Sequence, residues 1–184
     1  MQILMLIPKT IIGLIIILNI LIMGAKGEEN IDKDDFAIYL PQNKIYYRSY
    51  TREKILNIKL DKIKLSSYPI ISRNEIIAYQ KDTHTIELSA ETINRINMLR
   101  LKFGTVAFVC VVEKPIYWGV FLNDICEVGY DAIAIMLPSP LDSNKNTIQI
   151  KCGYPSEEWF TGKDLRNSQE IMESLRKAGK LKEK

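Results

Sequence analysis

Two apolar runs lie almost back to back, at residues 106–112 (Val-Ala-Phe-Val-Cys-Val-Val) and 116–122 (Ile-Tyr-Trp-Gly-Val-Phe-Leu). Both are rich in β-branched and aromatic residues, which favour strands. A strand wetted on one face alternates apolar with polar residues; these runs are apolar on both faces. They therefore predict two central strands, joined by Glu113-Lys-Pro115 and covered on two sides. Val109 and Ile116 are the expected core residues. Cys110 sits inside the first run and reads as core.

Weaker strand signals surround this pair. Residues 36–40 (Phe-Ala-Ile-Tyr-Leu) read as a strand, 41–44 as a turn, and 45–48 as the returning strand. Residues 55–60 and 63–65 alternate in part and also read as strand. Ser72-Arg-Asn-Glu75 starts a short helical turn running to Tyr79. Residues 85–88, 131–137 and 147–151 complete the strands, the last two separated by a loop that includes Asp142. Two helices are expected. Ser89 is the N-cap of one spanning about 90–100, with Ile93, Ile96 and Leu99 on its inner stripe. Asn167 with Glu170 resembles a capping box for the other. That helix has Ile171, Met172 and Leu175 inward, and Gly179 stands where a left-handed C-cap falls. Strands and helices mix without strict alternation. The fold class is therefore α+β: a mainly antiparallel sheet packed with two or more helices.

The N-terminus reads differently. Residues 10–25 are continuously apolar after Lys9, and acids follow at Glu28, Glu29, Asp32, Asp34 and Asp35. A base before such a run and acids after it keep the N-terminus inside. The run is long for a signal peptide and short for a membrane span, so both readings stand. Ala25-Lys-Gly27 offers small residues for cleavage. The expected organisation is a signal peptide or transmembrane helix over 1–27, a linker over 28–35, and one extracytoplasmic domain over 36–184. The localisation that follows is exported, in the cell envelope, either membrane-anchored or secreted.

Charge and composition exclude several functions. The chain carries 25 Lys and Arg against 22 Asp and Glu, a net charge of +3, and Lys9 and Lys26 supply two of those charges. An interspersed, nearly neutral domain gives no electrostatic footprint for nucleic acid. No glycine-rich phosphate loop, calcium loop or Cys-x-x-Cys pair occurs, so no cofactor or metal is expected. The three cysteines leave two readings. Either Cys126 pairs with Cys152, or all three are reduced and buried. The only histidine, His84, stands in Asp82-Thr-His-Thr85 and reads as an exposed polar residue at a strand edge. Asp61, Asp82, Asp124, Asp131 and Asp142 are scattered. No catalytic residue is assigned. Tyr117, Trp118 and Phe121 cluster on one strand and are candidates for a partner-facing surface. Adjacent strand residues face opposite ways, so Tyr117 and Trp118 cannot share a layer.

The stretch 106–119 resembles the paired strands of the periplasmic head subdomain of SecD, the protein-export subunit. Residues 86–94 (Ile-Glu-Leu-Ser-Ala-Glu-Thr-Ile-Asn) are similar to that family's strand leading into a helix. Residues 148–153 and 175–181 are similar to its closing strand and its Leu-…-Arg-Ala-Gly-x-Leu helix ending. The resemblance covers about residues 84–181. Val112-Glu113 stands where the family has Asp-Gly, which implies a hairpin that closes differently, and Lys182 replaces a proline. SecD carries a bundle of membrane helices, so a chain with one hydrophobic segment shares at most the head-like fold. The chain also resembles small exported proteins with a Pro-Ile-Tyr-Trp-Gly strand, a likeness that brings no mechanism. The expected function is a non-enzymatic, extracytoplasmic binding domain. Its partner would be another envelope protein or a peptide, met through a surface or by strand addition. A small exported hydrolase using carboxylates and a structural envelope component are the alternatives.

Overall fold

In the computed structural model, residues 36–47, 59–139 and 145–183 are described. The expectations for the N-terminal apolar segment and its linker, for the strand at 55–58 and for the loop around Asp142 lie outside them. The described residues carry nine strands and two α-helices. In chain order these are β1 (Phe36–Tyr39), β2 (Ile71–Ser72), β3 (Ile76–Gln80), β4 (Thr85–Leu88), α1 (Ala90–Met98), β5 (Thr105–Val111), β6 (Lys114–Leu122), β7 (Tyr130–Met136), β8 (Thr147–Tyr154), α2 (Gln169–Lys177) and β9 (Leu181–Lys182). The fold is α+β with one mainly antiparallel sheet, ordered β2-β1-β5-β6-β7-β8-β4-β3-β9. Only β6–β7 and β3–β9 pair in parallel.

This sheet cannot be flat. β2 and β3 lie at opposite ends of the strand order, yet only residues 73–75 separate them in sequence. The sheet must coil until its two margins nearly meet. The Phe36 ring on β1 reaches the Tyr79 ring on β3, with centroids 6.4 Å apart. The concave face gathers buried side chains from strand after strand, among them Ile38, Ile71, Ile86, Val109, Ile135 and Ile150. Both helices close over it, α1 through Ile93 and Ile96 and α2 through Ile171, Met172 and Leu175. A second cluster, with Val106, Phe108, Cys110, Val120 and Ala134, lies on the convex face. Ile45, Tyr47, Leu60, Ile63 and Leu65 cover it. Double-sided burial of the two central runs is thus observed, with helices on one side and an irregular covering segment on the other.

Local sequence explains several boundaries. The Ser89 hydroxyl accepts a hydrogen bond from the Thr92 amide, 3.1 Å, and starts α1. α2 ends with Gly179 at φ 67°. There the Gly179 amide bonds the Arg176 carbonyl and the Lys180 amide bonds the Leu175 carbonyl, the Schellman pattern. The start of α2 differs from expectation. Its N-cap is Ser168 rather than Asn167, and the Ser168 hydroxyl has no hydrogen-bond partner. The β5–β6 turn also differs. It is Val112–Glu113, both at positive φ (53° and 59°), so β6 begins at Lys114. Two residues with φ > 0 form the tight hairpin connection that Asn-Gly or Asp-Gly makes without strain.

Three further expectations are corrected. Residues 45–47 form no strand; Tyr46 makes one isolated bridge to Thr105. Residues 60–62 are a 3₁₀ turn, with Leu65 bridging Pro41. Their alternation reflects a segment laid over the convex face, apolar side down. The helical turn at 73–75 stops at Ile76, where pairing with β4 and β9 imposes a strand. β6 reaches the parallel β7 through residues 123–129 alone, shorter than the dozen or more residues usual for such a crossover. The Tyr154 hydroxyl secures that connection by donating to the Cys126 carbonyl, 2.7 Å. All three cysteines are free and buried.

Candidate functional site

His84 is not an exposed edge residue. It closes the β3–β4 turn at φ 50° and is only 7% exposed. β9 pairs outside β3, so this hairpin is not the sheet margin, and residues 155–168, between β8 and α2, pass nearby. His84 Nδ1 shares a 3.0 Å hydrogen bond with the Tyr79 hydroxyl. Burial holds the imidazole below its usual pKa, and the nearby Arg166 charge adds to that.

Arg166, 8% exposed, organises the surrounding groups. Its Nε and Nη2 donate to the two oxygens of Asp164 at 2.9 and 2.8 Å, and its Nη1 donates to the Ile150 carbonyl at 3.0 Å. Glu157 stands 3.6 Å away. The bidentate bond from Arg166 pulls the Asp164 carboxyl down to about 2. Burial pushes the Cys152 thiol up to about 11 and raises Tyr79 as well. Gly153 allows the chain to turn here: it sits at φ 75°, and a Cβ would lie 2.6 Å from the Ser156 carbonyl oxygen.

His84, Cys152, Arg166, Asp82 and Glu157 line a cleft of about 560 Å³. At neutral pH it presents a neutral imidazole bonded to the Tyr79 phenol, a protonated thiol, a guanidinium whose partner Asp164 is outside the lining, and the Asp82 and Glu157 carboxylates. A thiolate nucleophile is absent from this set, and Asp164 is locked in its ionised form. Among the described residues, no group of three or more His, Cys, Asp and Glu side chains is placed to hold a metal ion.

The aromatic candidates on β6 divide. Tyr117 is 4% exposed and Phe121 1%; both belong to the concave core, and Tyr117 also contributes to the lining of the pocket described below. Trp118 lies on the opposite face, half-buried against the convex cluster. β6 and β7 pair only from Gly119–Ile133 onward. Below that point the strands part, and a pocket of about 240 Å³ opens between them, lined by Ile116, Trp118, Ile133, Phe160 and Leu165 among others. Ile116 is for this reason half-buried rather than fully buried as expected, whereas Val109 is fully buried. Asp131 fixes the far wall by accepting from the Thr161 amide at 2.8 Å and hydroxyl at 2.9 Å. The volume is below the roughly 300–1,000 Å³ of small-molecule sites and suits one large apolar side chain.

The Arg166 cluster was not anticipated from the sequence. Its one signal was the pair Asp164-Leu-Arg166, opposite charges two residues apart, a spacing that also describes many exposed turns. No family model, curated protein or solved structure matches the chain.

Proposed function

We propose that this chain is an exported, non-enzymatic binding domain whose pocket beside Trp118 takes an apolar side chain of a protein or peptide partner in the cell envelope. One observation carries this reading. His84 is already bonded to Tyr79 and Arg166 to Asp164, whereas the Trp118–Phe160 pocket is an open apolar concavity flanked by a tryptophan and a fixed wall. Such pockets anchor the few residues that dominate an interface. Strand addition gains little support, because both sheet margins, β2 and β9, are two residues long. Export rests on the apolar segment at 10–25. A SecD-head-like fold is part of this reading and rests on the residues of 84–181 that carry the resemblance.

The test is retention of an envelope partner after cross-linking. The wild type and His84→Ala should hold the same protein, and Trp118→Ala should lose it while its circular dichroism is unchanged. Equal retention by Trp118→Ala would remove the pocket from the function. The hydrolase reading draws on Asp82, Glu157 and His84 lining one cleft of small-molecule size. Substrate turnover by wild type that His84→Ala abolishes would favour it. A reporter fused after Lys33 tests the location, since activity confined to the cytoplasm is incompatible with export.

A further inference from the structure

The loop between α1 and β5 reads Met98-Leu-Arg-Leu-Lys-Phe-Gly104. Its ends are fixed. The Gly104 amide donates to the Phe121 carbonyl at 3.0 Å, and the Thr105 hydroxyl donates to the Lys102 carbonyl at 2.6 Å. Leu101 turns inward against the concave core. The rest of the apolar content points out: Met98 is 80% exposed, Leu99 47% and Phe103 43%. Arg100 and Lys102 alternate with them and are also exposed. Lys102 Nζ lies 5.7 Å from the Tyr46 ring centroid, and Lys44 is on that same neighbouring segment. No acid occurs in the sequence between Glu91 and Glu113. Asp124, which follows β6, lines a different cleft together with Lys145.

A second observation concerns the backbone. Arg100 follows the C-cap of α1 at φ 46°, the place that Gly179 takes at φ 67° after α2. Glycine adopts that conformation freely, and other residues do so under strain. A cation thus stands where the backbone alone would favour glycine.

We propose that this loop is a docking surface for an anionic phospholipid bilayer. Apolar tips alternating with cations on a convex turn suit a fluid interface. Met98, Leu99 and Phe103 enter below the head groups, while Arg100 and Lys102 extend their charges to the phosphates. A folded protein partner needs a matching concave surface for side chains this exposed; a bilayer does not. The loop lies at the opposite end of β5 from Val111, which pairs with Phe36, roughly 24 Å along the strand at about 3.4 Å per residue. It shares no lining residue with the Trp118 pocket.

The full chain is reconstituted into vesicles, with an environment-sensitive dye on Asn97→Cys and, as the distal control, on Glu113→Cys. Vesicles of pure phosphatidylcholine are compared with others containing 30 mole per cent phosphatidylglycerol, a proportion of about one lipid in three chosen to span the usual surface potentials. The dye at 97 should shift to the blue and be quenched by spin-labelled lipid only in the anionic vesicles, and less at high salt. Arg100→Gly relieves the strained backbone and so keeps the fold. It should melt higher yet lower the contact constant about fivefold, the effect of one cation near a charged bilayer. Equal signals in both vesicle types, or an Arg100→Gly protein that contacts lipid as well as the parent, would overturn the proposal. So would a dye response that requires added envelope protein.

Discussion

The cleft beside His84 and the pocket beside Trp118 share one stretch of chain. Residues 155–157 and Arg166 face the cleft, and residues 160–163 with Leu165 face the pocket. One holds a set of polar groups spent on one another; the other holds apolar surface with a single fixed polar wall, Asp131 to Thr161. Titratable groups gathered in a cavity do not by themselves make a reactive site. Arg166 meets Asp164 and Ile150, His84 meets Tyr79, and the result is a polar core that holds residues 155–168 in place. The pocket side has fewer such bonds, and on the proposed reading its apolar surface is what a partner meets.

Removing the centre of the polar cluster should have the largest effect. Arg166→Met is expected to cost about 2–4 kcal/mol of stability, most of it from the buried Ile150 carbonyl left without its donor, since the Asp164 side chain is 42% exposed and can take up water. A denaturant midpoint moved by less than the equivalent of about 1 kcal/mol would place the cluster among surface ion pairs. Trp118→Ala should cost less, about 1–3 kcal/mol for a half-buried aromatic, while weakening partner retention tenfold or more. Should its stability loss exceed that of Arg166→Met, the two sides of residues 155–168 would have exchanged roles.

The β5–β6 hairpin leads into the pocket. Val112→Asn combined with Glu113→Gly places residues suited to positive φ in the turn, and should raise stability by about 1 kcal/mol without altering the cleft. A lower melting temperature for this double variant would mean that the strained turn is held by contacts of its own. Acidification should expose the cleft side selectively. The folded-state pKa of His84 is depressed, so its contribution is complete above the unfolded value of about 6.5 and is lost as pH falls below it. Asp164, drawn down to about 2, adds a second loss between about pH 4 and that value. His84→Gln should flatten the upper window and leave the lower one; identical pH profiles would show that His84 titrates normally.

The central hairpin was readable in the sequence because a strand buried on both faces leaves no alternation to misread: Val106, Phe108 and Cys110 face one cluster while Ala107 and Val109 face the other. Helix limits were readable where a local cap decides them, as at Ser89 and Gly179. β3 was not, since Ser72 and Glu75 do form a capping box and only distant pairing with β4 and β9 makes the next residues extended. The covering residues 45–47 and 60–65 have the alternation of a strand with no ladder, because a segment lying on a convex face buries every second side chain in the same way. Tyr117 and Phe121 were candidates by type, and their burial follows from the coiling of the sheet. His84 and Arg166 acquire their burial from residues 155–168 and from β9, contacts that no neighbour in sequence announces.

The near meeting of β2 and β3 has a consequence in time. Phe36 pairs with Val111, 75 residues further along, and β3 receives its outer partner only at Leu181. Whatever releases this chain N-terminus first, a ribosome or a membrane channel, delivers β1 long before its place exists. At about 5–20 residues per second, β1 waits about 4–15 seconds for β5. Completion of the far margin waits longer still, for Leu181, 102 residues beyond its partner Tyr79. Until both partners are present the sheet cannot close, so its coiled shape is a late event in the life of the chain.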